Sequence, residues 1–164
     1  MTATYDCIAT TTLSTSASSV TFSSISGSYT DLVLISTATV SSGAADLYLR
    51  FNGDTAGNYS ATILTGDGST ASSTRFTNDA AGLILDYYGS VGTTGHICIA
   101  HIMNYSNATT YKTVLSRANR ASSGTDAVVG LWRSTAAITS VTIRTSGGNL
   151  ATGSTFTLYG IKAA

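Results

Sequence analysis

The chain has no proline, no glutamate and no glutamine, and only two lysines among its 164 residues. Without those residues the usual surface of a soluble helix cannot be built, while Thr, Val, Ile and Tyr, which suit a pleated sheet, are abundant. Long helices are therefore excluded as the main architecture. Charge is scarce as well: 10% of residues are charged, and eight Lys plus Arg balance eight acidic residues, all of them Asp. A balanced chain of pI near 6.7 lacks the basic excess of a protein that grips phosphate backbones, so nucleic acid is not an expected partner. No apolar run has the length of a membrane span, and the opening MTATYDC has neither the charged start nor the apolar block of a secretion signal. The expectation is a protein made in the cytoplasm, with no membrane partner.

What fills the space is hydroxyl: roughly a third of the residues are Ser or Thr, and 43% are hydrophobic. At 16.7 kDa the chain has the size of one domain (1–164) able to bury a core without staples. Cys7 and Cys98, each in strand-like sequence, read as small buried hydrophobes with free thiols, a disulfide being the alternative.

Period-two alternation recurs along the chain. Tyr5 to Thr11 opens it, Val20 and Phe22 share a face, and Asp31 to Thr39 is an almost continuous apolar run expected at the centre with both faces covered. In Asp46 to Phe51, Leu47, Leu49 and Phe51 point inward while Tyr48 and Arg50 point out. The turn Asn52-Gly53-Asp54 joins this run to Asn58–Thr65 as a hairpin. Gly66 to Ala81 is polar and reads as the longest surface loop, with at most a short strand near Arg75 and Phe76. Strands follow at 83–88, 95–104, 109–117 and 126–133. A closing hairpin spans Ile138 to Lys162, with Val141, Ile143, Phe156 and Leu158 inward. The sum is an all-β, single antiparallel β-sandwich of about ten strands.

No motif spells out a reaction. His96 and His101 are five apart in one strand and project to opposite faces, and His96 with Cys98 falls short of the four ligands of a structural zinc. GxSxG is absent. Gly66-Asp67-Gly68-Ser69-Thr70-Ala71 fits a relaxed dinucleotide fingerprint, but polar coil follows it instead of a helix. Asp54, Asp67 and Asp79 lie in turns, where capping the local backbone outweighs acid–base chemistry or a loop-built calcium site. No catalytic residue, metal or cofactor is expected. The outward aromatics and arginines are the candidate interface: Tyr48, Arg50, Trp132 and Arg144, with Tyr159 and Ile161 on the far face of the last strand. That placing of Trp132 assumes that Val129 and Leu131 face the core.

Three segments, TYDCIATTTLSTSASSVTFSSISGSYTDLVLIS, LYLRFNGDTAGNYSATIL and VGLWRSTAAITSVTIRTSGGNLATGSTFTLYGIKAA, resemble small virion structural proteins of tailed bacteriophages. The resemblance covers most of the chain in order and is strongest at Ile8 to Leu13, Asn52 to Ser60 and Gly153 to Lys162. It implies a jelly-roll-like sandwich, assembly as a homotrimer and a place in the virion. Strand pattern runs from Tyr5 almost to the C-terminus, so the expectation is a small separate subunit: a capsid decoration, or cement, protein docking on the major capsid protein at the head surface. The alternative is a tail fibre or receptor-binding module holding host glycans.

Overall fold

A computed structural model describes residues 4–162. Fourteen strand segments follow in chain order. They are β1 (Tyr5–Thr12), β2 (Ser19–Phe22), β3 (Asp31–Ala38), β4 (Ala44–Ala45), β5 (Leu47–Phe51), β6 (Tyr59–Gly66) and β7 (Ala71–Asp79), then β8 (Leu83–Ile84), β9 (Val91–Gly92), β10 (His96–Met103), β11 (Lys112–Arg120), β12 (Gly124–Trp132), β13 (Val141–Thr145) and β14 (Thr155–Ile161). Three of them are two-residue pieces; the others come close to the ten read from turn spacing.

The fold is all-β and antiparallel. A large sheet runs β1-β14-β3-β10-β11-β12-β6-β7, and a small one runs β2-β13-β5-β8 against its inner face, with β4 and β9 as a separate pair. The main core fills the space between, from Leu32, Leu34, Ile102, Phe156 and Leu158 on one side to Val20, Leu47, Leu49, Phe51, Val141 and Ile143 on the other. Tyr48 and Ile84 pack instead with Ala61, Ile63 and Val128, because the β12–β6–β7 end of the large sheet reaches over the opposite face of β5 and β8.

Two predicted hairpins are not formed. β5 pairs with β13 and β8, whereas β6 pairs with β12 and β7, so the Asn52–Gly53 turn carries the chain from one sheet to the other. Both residues have positive φ, 51° and 69°, and the Asn52 side chain holds the neighbouring loop by accepting from the Thr139 and Ser140 amides. Likewise β13 lies in the small sheet and β14 between β1 and β3 in the large one; the stretch read as one hairpin staples the two sheets.

The loop expected over Gly66–Ala81 is mostly β7, a nine-residue edge strand paired with β6 from Gly66↔Ala71 to Tyr59↔Asp79. The tight turn at Asp67–Thr70 and the bend at Ala80–Ala81 remain loop, the turn capped by Asp67 accepting from the Ser69 and Thr70 amides. The 83–88 strand shrinks to two residues. β3 is interior as expected, but its outer face is only partly covered: Val33 is buried, while Ile35 and Thr37 are exposed.

The phase of β12 is inverted from the expected one. Val128, Gly130 and Trp132 face the core, and Val129 is 60% exposed. Gly130 decides this, because Leu83 of β8 fills the space beside it: a methyl group there would stand 2.4 Å from Leu83 Cδ1. Gly160 plays the same part in β14, where the Tyr29 ring lies over its Cα, and the strand alternates through it without a bulge. Cys7 is exposed on β1, against its expected burial, while Cys98 is fully buried; both are free thiols.

Candidate interaction surface and the buried polar groups

Of the six residues expected at an interface, Tyr48 and Trp132 are core residues, 7% and 2% exposed. Trp132 stacks with Tyr59 and leans on Phe51, the ring centroids 6.4 and 5.4 Å apart, and its Nε1 donates to Asp54 Oδ2 at 2.7 Å. Arg50 and Arg144 are half-buried and act as clamps: Arg50 Nη2 donates to the carbonyls of Ala80 and Ala81, and Arg144 Nη1 to that of Ala81. Together they hold the β7–β8 connection over the small sheet. Tyr159 and Ile161 do lie on the outer face of β14, half-buried, with Tyr159 edge-on to Tyr5. Arg133 ends β12 by donating to the Gly57 carbonyl and Asn78 Oδ1.

The carboxylates considered for chemistry are bonded within the structure. Asp54 accepts from the Ala56 amide, Asn58 and Trp132, and burial, which would raise its pKa, is outweighed by these hydrogen bonds, so the group sits below the usual carboxylate range. Asp67 is lowered by its own turn amides. Asp126, buried under the β12–β6 pair, accepts from Thr65 Oγ1 and from the amides of Tyr87 and Gly89.

One polar grouping escaped the sequence reading. His96 opens β10 and Asp86 follows β8; their side chains are wholly buried, with Nε2 and Oδ2 2.8 Å apart. The approach is off-line for a hydrogen bond, and His96 Nδ1 has no partner. Asp86 Oδ1 accepts the Leu47 amide at 2.7 Å. Burial raises the Asp86 carboxyl above its ordinary range, against the pull of His96 and that amide. Cys98 shares the inner face, wholly buried, and burial pushes its thiol far up, which disfavours the thiolate. Ser116 Oγ is committed to the Leu85 carbonyl. With no opening to solvent at these side chains, the grouping holds the 85–89 crossing between the sheets. The only hint in the sequence is a lone Asp ending the apolar run LIL. Among the described residues no set of three His, Cys or Asp groups is placed to hold a metal ion.

Lys112, wholly buried, donates Nζ to the carbonyls of Thr110 and Thr135, and desolvation lowers its pKa. It is a structural tie between the loops before β11 and after β12.

What faces solvent is different in kind. Six of the large hydrophobic residues that stand exposed, Ile35, Leu64, Ile97, Met103, Leu115 and Val129, share the outer face of the large sheet. Strand register aligns them in rows. One row reads Val33–His101–Leu115–Val129–Thr62 across β3, β10, β11, β12 and β6, and the next reads Ile35–Ile99–Arg117–Ala127–Leu64. Over this stretch Arg117 is the one full charge beside His101, and there is no carboxylate. Small residues, Ala127, Thr125, Gly66 and Ala71, floor a shallow depression of about 740 Å³ walled by Leu64, Ile97, Ile99 and Arg117. No protein-family model matches the chain, and no curated protein matches it.

Proposed function

We propose that the chain is a structural component of a tailed-phage virion, a capsid decoration protein made in the host cytoplasm that docks on the major capsid protein outside the head and bridges capsomers. The observation that carries the role of an assembly part is the outer face of the large sheet. Contiguous exposed apolar surface on a folded domain marks a place of association. Here it is combined with hydroxyls and almost no ions, the surface of a part that is assembled rather than one that turns over a substrate. The resemblance to small virion structural proteins supplies the setting. A glycan-binding role has less to stand on, because Tyr48 and Trp132, the aromatic platforms such a role would use, lie in the core.

Co-sedimentation of the purified chain with emptied capsids tests the proposal. Saturable pelleting at a fixed ratio to capsid protein is the expected outcome. A chain that stays in the supernatant with capsids but is retained on host polysaccharide would replace this reading with the receptor-binding one.

A further inference from the structure

We infer that the outer face of the large sheet is covered by a second copy of this chain, in a two-fold, sheet-on-sheet contact. The inference rests on the reading of that face as an assembly surface and names its occupant. Three features point to self-contact.

Relief is the first. Leu115 and Val129, neighbours in one row, are 49% and 60% exposed, with the small Thr62 beyond them, while in the adjacent row Ala127 is a low point between Arg117 and Leu64, the latter 61% exposed. A two-fold axis lying in the interface and crossing the strands between the two rows lays each row over the other row of the second copy, so that the prominent Leu64 lies over the partner's Thr62. Val129 then lies over the partner's Ala127, and Leu115 lies along the aliphatic stem of the partner's Arg117. An isologous contact requires such pairing of i with j and j with i. A flat or uniformly ridged face would not meet itself in this way.

Charge is the second. The two rows carry no carboxylate, so a partner selected for electrostatic fit would be acidic. The two-fold arrangement keeps the two Arg117 side chains apart, offset along the strands, each over the partner's Leu115 between His101 and Val129. The third is size. Eight strands about 4.8 Å apart and about eight residues long give a face of roughly 1,000 Å² in projection. A standard stable interface takes about 800 Å² from each partner. The face is roughly an eighth of the 7618 Å² surface of the chain, close to the share such interfaces take from small proteins. Aligned sheets pack about 10 Å apart, which this pairing of rows accommodates. The contact is two-fold, unlike the trimer implied by the resemblance, and leaves the sheet ends and loops for the capsid.

Sedimentation velocity at tens of micromolar reads the answer, with Val129→Lys, Leu115→Lys and Ala127→Arg as variants. All three positions are solvent-exposed, and circular dichroism checks that each variant folds. The wild-type chain is expected at twice its own mass. Each folded variant is expected as a monomer, with the dissociation constant of the dimer raised at least 100-fold. A monomeric or trimeric wild type overturns the inference, as does a folded variant that keeps the dimer. Should Val129→Lys fail to fold, Ala127→Arg, which fills the low point without touching Leu115 or Val129, decides alone. Capsid pelleting separates this from the function: a dimer that ignores capsids keeps the inference and sinks the decoration role. A monomer that binds capsids and loses that binding on Val129→Lys gives the face to the capsid and overturns the inference.

Discussion

Asp54 shows how much one carboxylate can organise. Its Oδ1 takes the Ala56 amide at 2.9 Å, and its Oδ2 takes Asn58 Nδ2 and the Trp132 indole at 2.8 and 2.7 Å. The first two shape the turn that crosses between sheets, and the third fixes the largest buried side chain. Replacing it by Ala leaves the indole N–H without a partner next to a packed aromatic cluster, a loss expected at about 2 to 3 kcal/mol in denaturant titration at pH 7. A change within about 0.5 kcal/mol would mean that water replaces the carboxylate without penalty. The pH dependence has a definite sign. The folded pKa lies below the ordinary Asp value of 3.8, so the stability Asp54 contributes is present above that value and is lost as pH falls through the folded pKa. Asp86 acts the other way: its folded pKa is raised, so its contribution weakens as pH rises through that value. Asp54→Asn, which keeps an acceptor but cannot titrate, isolates the first effect and should lose less stability than wild type below about pH 4.

At the scale of the strand, β7 is where sequence and structure part most clearly. ASSTRFTND offers no alternation of large apolar side chains, because an edge strand of Ser and Thr has little to bury on either side; what holds it is the ladder to β6. Amide exchange separates strand from loop. Alternate amides between Ala71 and Phe76 should be protected by β6, and those between them, facing the open edge, should exchange quickly. Uniformly fast exchange across 71–76 would restore the loop. The same reasoning explains what could be read. In β2, β5 and β14 the inward residues Val20, Leu47, Leu49, Phe51, Phe156 and Leu158 alternate with polar or amphipathic ones and were legible, whereas Tyr48 on the other face of β5 was not, because its burial comes from the overlying end of the large sheet. In β12, AVVGLW is apolar on both faces, since one side meets the core and the other is the exposed patch, and period alone cannot choose the phase; Gly130 against Leu83 chooses it. The Asn52–Gly53 turn has hairpin chemistry but serves a sheet-to-sheet crossing, a distinction that depends on distant partners. The candidate site suffered from the same error of phase: once Trp132 turned inward, the patch had to be built from Leu115, Val129 and Leu64 instead.

For the whole molecule the governing fact is how few ions it has and where they are. Among the described residues the pair of formal charges in contact is Lys162 with Asp6 at the edge of the large sheet, and the His96–Asp86 contact is buried. Neither lies on the apolar rows, and the arginines with resolved partners mostly donate to backbone carbonyls of their own chain. Association through this surface must then draw on buried apolar area and hydroxyl contacts, at about 25 cal/mol per Å² of apolar surface, and not on Coulomb attraction. Salt shortens the Debye length from about 10 Å at 0.1 M to about 3 Å at 1 M, which would dissolve a contact held by exposed charges. The expected outcome is the reverse. Between 0.1 and 1 M sodium chloride, self-association measured by sedimentation should change less than about 3-fold, and sulfate, which strengthens apolar burial, should tighten it. Capsid attachment should follow the same pattern if it too uses uncharged surface. A steep loss of either with sodium chloride alone would mean that Arg117, Arg75 or the Lys162–Asp6 edge carries the contact, and the large sheet would then serve as a scaffold for charges at its margin.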